Sequence, residues 1–325
     1  MRTTIDEDEL EPAAGAASPD VPSHLQERIT PRPSVRLRQE MVVIDRSVGL
    51  GALLETLELP VVELSFDYAG QRLSACDPRD RFFRAAAGGV RAVLRDALSE
   101  TRARCLLESF GLVDLECLEH YALPPDSRAH YVLRCDGDVH DYCSFGAHVV
   151  PKLRALGWEV IVDESYPYRV VEEEPEWYAN VDPDGERPDW FALELGVELE
   201  GRRVSLLPAL VGLLERSRGS TLASLLEHKK HVAVALPDGR YLAVPPTRLQ
   251  PLLRVLTELY EGEREGVTIG FSKHQTGSLR SLDELFSESK VSLRWSGSSE
   301  ARELGRRISE VPALSIAAPS GLRAT

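Results

Sequence analysis

Alternating apolar and polar positions between residues 190 and 199 predict a strand with one buried face. Apolar side chains occupy every second position: Phe191, Leu193, Leu195, Val197 and Leu199. This is the period of a half-buried β-strand. Glu200-Gly201 then predicts a turn into a return strand, and apolar residues at helical spacing after Pro208 predict a helix. The segment therefore predicts a hairpin and a helix that share one core.

Similar patterns alternate along the rest of the chain. Strands are predicted at 61–68, 131–133, 158–162, 231–236, 241–244 and 291–295. Helices are predicted at 85–110, 145–156, 247–260 and 299–308. Strands and helices mix without a regular βαβ order, so we predict a mixed α/β fold of the α+β class, built from β-hairpins with packed helices.

Composition along the chain predicts two domains. Residues 1–40 are rich in Asp, Glu, Ala, Pro and Ser and have few large apolar side chains, so we expect a disordered acidic tail. A first mixed α/β domain is predicted at 41–181 and a second at 189–310. The Asp-, Pro- and Gly-rich segment 182–188 is predicted to be the linker between them.

Several short motifs follow one another in an order that resembles a known family. The motifs are Gly157-Trp158, Asp189-Trp190-Phe191 with its Gly-containing turn, Leu207-Pro208 at a helix start, and Pro319-Ser320-Gly321 near the end of the chain. Arg95-Asp96 and Glu100 are similar to charged residues on a long helix of the same family. Together they resemble the N-terminal helicase-associated region of bacterial SWI/SNF-type ATPases of the DEAD/DEAH-box helicase-like class.

The resemblance implies a regulatory or interaction module of an ATP-driven DNA translocase. The module would precede or assemble with the motor, in cis or in trans, and would reach duplex DNA through it. Residues 311–325 resemble the linker that leads into the first motor lobe. The family motifs named above are expected to be structural.

Catalytic chemistry is not predicted for this chain itself. A phosphate-binding P-loop requires a Gly-Lys pair, and none occurs in the 325 residues. The acidic metal-binding motif of helicase motors is not found either. ATP and Mg²⁺ would therefore belong to the motor, and we expect no catalytic residue and no cofactor here.

Charge disfavours a broad nucleic-acid-binding surface. The formal net charge is -14, and residues 160–200 carry thirteen Asp or Glu against two Arg. This zone predicts either a solvated surface or a face that docks on a basic motor. The alternative function is a DNA-binding accessory domain with a basic face in the C-terminal third, formed by Arg302, Arg306 and Arg307. We favour the other explanation of these arginines, a solvated helix with Glu300 and Glu303 as neighbours.

Cysteine and histidine residues offer the one candidate metal site. Cys135, His140, Cys143 and His148 are residue types that bind zinc, but their spacing differs from that of common zinc fingers. We therefore favour packed side chains over a metal. Five scattered cysteines and an acidic start without a signal-peptide pattern predict a cytoplasmic protein. No apolar run approaches the ~20 residues that cross a bilayer, so we expect no membrane partner.

Overall fold

The structure is a computed structural model, and its mixed strands and helices confirm the predicted α+β class. It describes residues 26–45, 54–86, 89–118, 121–122, 127–216, 229–260, 264–288 and 291–310. Within these ranges, no helix is long and apolar enough to cross a membrane.

The described part contains eighteen strands and six α-helices. The strands are β1 (Gln26–Arg28), β2 (Arg32–Asp45), β3 (Leu54–Tyr68), β4 (Gln71–Ser74), β5 (Arg81–Ala86), β6 (Gly89–Leu94), β7 (Leu112–Asp114), β8 (Tyr121–Ala122), β9 (Tyr131–Leu133), β10 (Glu159–Val162), β11 (Glu176–Pro183), β12 (Trp190–Leu199), β13 (Arg202–Ser205), β14 (Val232–Ala235), β15 (Tyr241–Val244), β16 (Arg264–Glu265), β17 (Thr268–Ser272) and β18 (Leu293–Gly297). The helices are α1 (Ala97–Ser109), α2 (Val139–Ala155), α3 (Leu207–Arg216), α4 (Pro246–Leu259), α5 (Gly277–Glu288) and α6 (Glu300–Glu310).

A long antiparallel pair of strands, β2 and β3, forms the centre of the first sheet. Their register runs from Arg32 opposite Asp67 to Asp45 opposite Leu54. The strand order is β10-β2-β3-β9-β7, with β4 paired to β3 and β8 paired to β2, and β10 runs parallel to β2. A separate three-stranded sheet has the order β1-β6-β5. Helices α1 and α2 contribute buried side chains to the core that this first sheet covers.

The second sheet is built around the β11–β12 hairpin. Its order is β16-β17-β12-β11-β18, with β13 paired to β12, and β18 runs parallel to β11. Strands β14 and β15 form a separate two-stranded hairpin. Helices α3 to α6 contribute to the core beneath these strands.

The two largest of the three clusters of buried apolar side chains in the described part define two units, but their boundary differs from the predicted one. The first core extends from Val35 to Tyr166, and the second begins at Trp177. Residues 182–188, predicted as a linker, connect β11 to β12 within one sheet, where Pro183 lies opposite Phe191. Asp, Pro and Gly are as typical of a hairpin turn as of a linker, which explains the error. The change of core falls within residues 167–176.

The predicted hairpin and helix after residue 190 are confirmed. The five apolar residues of the alternating face of β12 are buried, while Trp190, Ala192, Glu194 and Glu198 are partly exposed. Glu200 and Gly201 both adopt positive φ (51° and 73°) and turn the chain into β13. This left-handed conformation suits a tight two-residue hairpin.

Two N-terminal predictions are wrong. Residues 26–28 and 32–40 of the predicted disordered tail lie in β1 and β2, where Val35 and Leu37 are buried. Residues 89–94 of the predicted helix form β6, which pairs with β1 and β5. The apolar residues of this short segment are compatible with either a helix or a strand. Pairing with β1 and β5 makes the segment a strand. Residues 1–25 and 311–325 lie outside the described part.

Candidate functional site

The segment 189–208, on which the resemblance rests, contributes to the core of the second unit. Phe191 and Leu207 are buried, and Pro208 lies in the first turn of α3, as predicted. The ring of Phe191 packs against that of Phe271 with 5.7 Å between centroids. The apolar residues of this segment therefore pack β12, β17 and α3 against one another, which is a structural role.

The polar members of the same motif fix the start of β12. The Asp189 carboxylate forms an ion pair with Lys273 Nζ at 2.9 Å, and the Asp189 carbonyl accepts a hydrogen bond from the Lys273 backbone N–H. The Arg187 guanidinium lies 4.4 Å from the centre of the half-buried Trp190 ring. Asp189 adopts a φ of 69°, which is uncommon for a residue with a side chain. These contacts position backbone, which is a structural role.

The Gly157-Trp158 motif ends α2 and starts the return to the first sheet. Gly157 has a φ of 84°, and its carbonyl accepts a hydrogen bond from Arg32 Nε at 2.9 Å. Such a left-handed glycine is a common end for a helix. Trp158 is buried in the first core.

The C-terminal arginines lie on α6 but are largely occupied by neighbours. Arg306 and Arg307 both contact Oε1 of Glu303, at 2.8 and 3.2 Å. The hydrogen bond from Arg306 holds the pKa of Glu303 below its usual value. Arg302 lies over the Trp295 ring at 5.3 Å. Two of the three cations share one carboxylate, so the basic face proposed for DNA has less net positive charge than its arginines alone provide.

The cysteine and histidine residues of α2 and the preceding loop do not form a metal site. No group of three or more potential ligands that could hold an ion is found among the described residues. Cys135 and Cys143 are buried thiols, and burial raises the pKa of Cys143 to about 12. His140 Nδ1 instead accepts a hydrogen bond from the Ala233 backbone N–H at 3.0 Å. His148 Nε2 lies 2.9 Å from Lys152 Nζ.

A buried ion pair joins the start of α1 to the first sheet. Arg95 contacts both carboxylate oxygens of Glu100, with Nε–Oε1 at 2.8 Å and a second nitrogen to Oε2 at 2.6 Å. Tyr68 donates its hydroxyl to Glu100 Oε1 at 2.5 Å, and burial raises its pKa. Asp96 caps α1 by accepting from the Ser99 backbone N–H. The sequence singled out these charged residues without revealing that the pair is buried.

His130 is a buried polar residue that sequence reasoning missed. Its Nδ1 accepts a hydrogen bond from the Leu64 backbone N–H at 2.9 Å, and its Nε2 lies 3.0 Å from Ser74 Oγ. The imidazole therefore joins β3, β4 and the entrance to β9. Burial lowers its pKa to about 4, with a further contribution from Arg104. A lone histidine gives no sequence signal for such a role.

Much of the acidic zone at residues 160–200 is neutralised by distant basic residues. Ion pairs connect it to four cations from other parts of the chain: Arg154 with Glu172, Arg240 with Glu200, Lys273 with Asp189, and Arg294 with Glu176 and Glu198. The exposed run Glu172-Glu173-Glu174, which we call the acidic loop, lies between the two cores. Within the described residues, Glu173 and Glu174 have no ion-pair partner. The acidic loop is the candidate docking surface.

The chain matches no protein-family model, and no curated protein matches it.

Proposed function

We propose that the chain is a non-catalytic, helicase-associated module that regulates or docks on a SWI/SNF-type DNA-dependent ATPase. The observation that carries the proposal is the order of the family motifs between Gly157 and Pro208. The buried positions of Trp158, Phe191 and Leu207 support a scaffold role, because side chains committed to a core are not available for chemistry.

The acidic loop supports docking on the basic surface of a motor. Glu173 and Glu174 are exposed and lack a cationic neighbour among the described residues, so they can meet a basic groove without first breaking an ion pair. Complementary charge steers association and favours the correct partner. A loop of this kind would compete with the DNA backbone for the same basic surface and thereby restrain the motor until DNA displaces it.

The experiment adds the purified chain to a purified SWI/SNF-type ATPase from the same organism and measures DNA-stimulated ATP hydrolysis and DNA affinity. We expect the chain to weaken DNA affinity at low salt, with the effect fading as salt screens the charges. Unchanged ATPase rate and unchanged DNA affinity would refute the proposal.

A triple variant tests the acidic loop itself. Changing Glu172, Glu173 and Glu174 to Gln should relieve the restraint by removing three charges from one surface. The control changes Glu108, Glu186 and Glu288 to Gln, because these are exposed glutamates elsewhere on the chain and leave the same net charge. Equal effects of both triple variants would mean that net charge, rather than the loop, is responsible.

A further inference from the structure

A cavity of about 740 Å³ lies between the two cores. Its walls come from α2, from residues 166–175, from the β12–β13 turn, and from β15 with the start of α4. The volume falls within the range of roughly 300–1,000 Å³ that is typical of small-molecule sites. Sites of this type also occur preferentially where two domains meet. The location and size of the cavity therefore suit a small ligand.

The two units are held together beside the cavity by specific contacts. The Tyr241 backbone N–H donates to the Arg169 carbonyl at 2.8 Å, and Val171 N–H donates back to the Tyr241 carbonyl at 2.9 Å. Lys229 Nζ lies 2.8 Å from carboxylates of both Asp138 and Asp141 on the other unit. Hydrogen bonds and ion pairs thus connect the two units on which the cavity walls lie.

Two guanidinium groups line this cavity without an ion-pair partner among the described residues. Arg169 and Arg248 are both half-buried, and neither side chain has a hydrogen-bond or ion-pair partner in the described part of the chain. The Nε atom of Arg248 is fully buried and unpartnered within that part. Holding a cation away from water without a partner is unfavourable. The chain has 52 acidic residues against 38 Lys and Arg, and yet no described carboxylate pairs with either arginine. An anion from solution would therefore fit as the missing partner.

The other charged groups at the cavity do not remove this positive charge. Arg240 already pairs with Glu200 and Asp238. Glu173 and Glu174 are exposed at the rim, where water screens them. His231 also lines the cavity, and burial lowers its pKa, which favours the neutral ring. Glu172, the remaining glutamate of the wall, is paired with Arg154. Arg169 and Arg248 are therefore left as lining cations without an ion-pair partner among the described residues.

The remaining walls suit an apolar body. The cavity is also lined by four aliphatic residues and two tyrosines: Leu37, Val150, Val162, Leu242, Tyr166 and Tyr168. The Tyr168 ring is fixed by stacking on Tyr142, with centroids 4.3 Å apart and planes 4° apart. A rigid aromatic wall loses little freedom when it contacts a ligand.

We propose that this cavity binds a small organic anion, in which a phosphate or carboxylate is held by Arg169 and Arg248 and an apolar body lies against the aliphatic and tyrosine walls. Guanidinium groups recognise both anions through paired N–H donors. The ligand would bridge the two cores. This inference does not depend on the proposed docking role.

Calorimetric titration with phenyl phosphate, benzoate and inorganic phosphate at low ionic strength tests the site. We expect saturable binding of phenyl phosphate or benzoate, and the stronger of the two identifies the anionic group. Inorganic phosphate should bind more weakly because it lacks the apolar body. Arg169→Gln and Arg248→Gln should each weaken binding by about tenfold. The absence of saturable binding of all three probes up to about 10 mM would overturn the proposal.

Arg254→Gln is the matched control on the same helix. Arg254 is exposed on α4 and is not part of the cavity wall, so binding should stay within about twofold of wild type. Equal weakening by Arg254→Gln and Arg248→Gln would show only nonspecific attraction of anions and overturn the assignment.

A second variant covers the case in which the arginine variants do not fold. Ala147→Phe keeps both guanidinium groups but fills the cavity from α2, and Ala147 is only partly buried. Binding of phenyl phosphate should be lost while circular dichroism stays native. Wild-type affinity in this variant would place the binding site elsewhere and refute the proposal.

Discussion

Lowering the pH should destabilise the first core through His130. The Leu64 backbone N–H donates to Nδ1, so the proton of the neutral ring resides on Nε2, where it can be donated to Ser74 Oγ. Protonation of Nδ1 would replace this acceptor with a second donor and break the bond to Leu64. His130 is almost completely buried, with 3% of its surface exposed, so the charged ring would also lose its hydration.

The size of the effect follows from the difference between the folded and unfolded pKa values. The pKa of His130 is lowered from 6.5 to about 4 in the folded protein. Between these values the unfolded chain binds a proton that the folded protein does not, so stability is complete above pH 6.5 and is lost as the pH falls towards 4. A difference of about 2.5 in pKa corresponds to about 3 kcal/mol, of which about 2 kcal/mol is lost by pH 5.

Urea unfolding at pH 7.5 and pH 5.0 measures this loss, and His130→Asn isolates the contribution of His130. The amide oxygen of asparagine can accept from Leu64 N–H but does not titrate. We expect the variant to lose about 2 kcal/mol less than wild type between the two pH values. Hydrogen exchange of the peptide that contains Leu64 reports the same change locally, since its amide should be less protected at pH 5.0 only in the wild type.

The exposed His274 provides the control, because His274→Asn should leave the pH dependence of wild type unchanged. Equal pH dependence of wild type and His130→Asn would refute the reasoning. That result would mean that the folded protein accommodates the proton on His130.

Three further substitutions test the packing of the two cores. Glu100→Gln should lower the free energy of unfolding by about 3–5 kcal/mol, because it leaves the buried Arg95 guanidinium without a counter-charge. Gly196→Ala should destabilise by about 3 kcal/mol, since a Cβ at this position would lie 2.2 Å from the Val204 carbonyl oxygen. Leu207→Ala should cost about 2–5 kcal/mol by opening a cavity in the second core. Urea unfolding followed by circular dichroism measures all three.

Each of these substitutions has a matched control in an exposed position. Glu108→Gln lies on the same helix as Glu100, Gly185→Ala meets no atom within 4 Å, and Leu98→Ala removes a leucine that is 61% exposed. Each control should change stability by less than about 0.5 kcal/mol. A control as harmful as its partner would contradict the specific contact assigned to that partner.

Local pattern predicted the second unit better than the first. The alternation in β12 and the Glu200-Gly201 turn are local signals, and both were confirmed. Strand β6 was predicted as helix because its apolar residues satisfy either period over a short window. Its pairing with β1, more than 60 residues earlier, decided the outcome. Helix α5, which follows a short strand, was not predicted at all.

The candidate sites were less predictable because they depend on residues that are distant in sequence. His130 gains its role from Leu64, 66 positions away, and the Arg95–Glu100 pair is buried only because Tyr68 and the first sheet cover it. The sequence grouped the three C-terminal arginines as one basic face. The ion pairs of Arg306 and Arg307 with Glu303 reduce the net positive charge of that face. Sequence identified the residue types, and the fold determined their environment.

Ion pairs show most clearly how the environment of a residue in the fold differs from what the sequence alone predicts. A sequence window from 160 to 200 counts -11, but several of its carboxylates find partners outside the window, from Arg154, 18 positions from Glu172, to Arg36, 127 positions from Asp163. Charges that are paired within the fold are poor candidates for binding, because a partner must first break the existing contact. The two glutamates of the acidic loop and the two cavity arginines are among the charges that have no ion-pair partner in the described part, and they are therefore free to meet a partner. The acidic loop therefore suits a basic macromolecular surface, and Arg169 and Arg248 suit an anion small enough to enter the cavity.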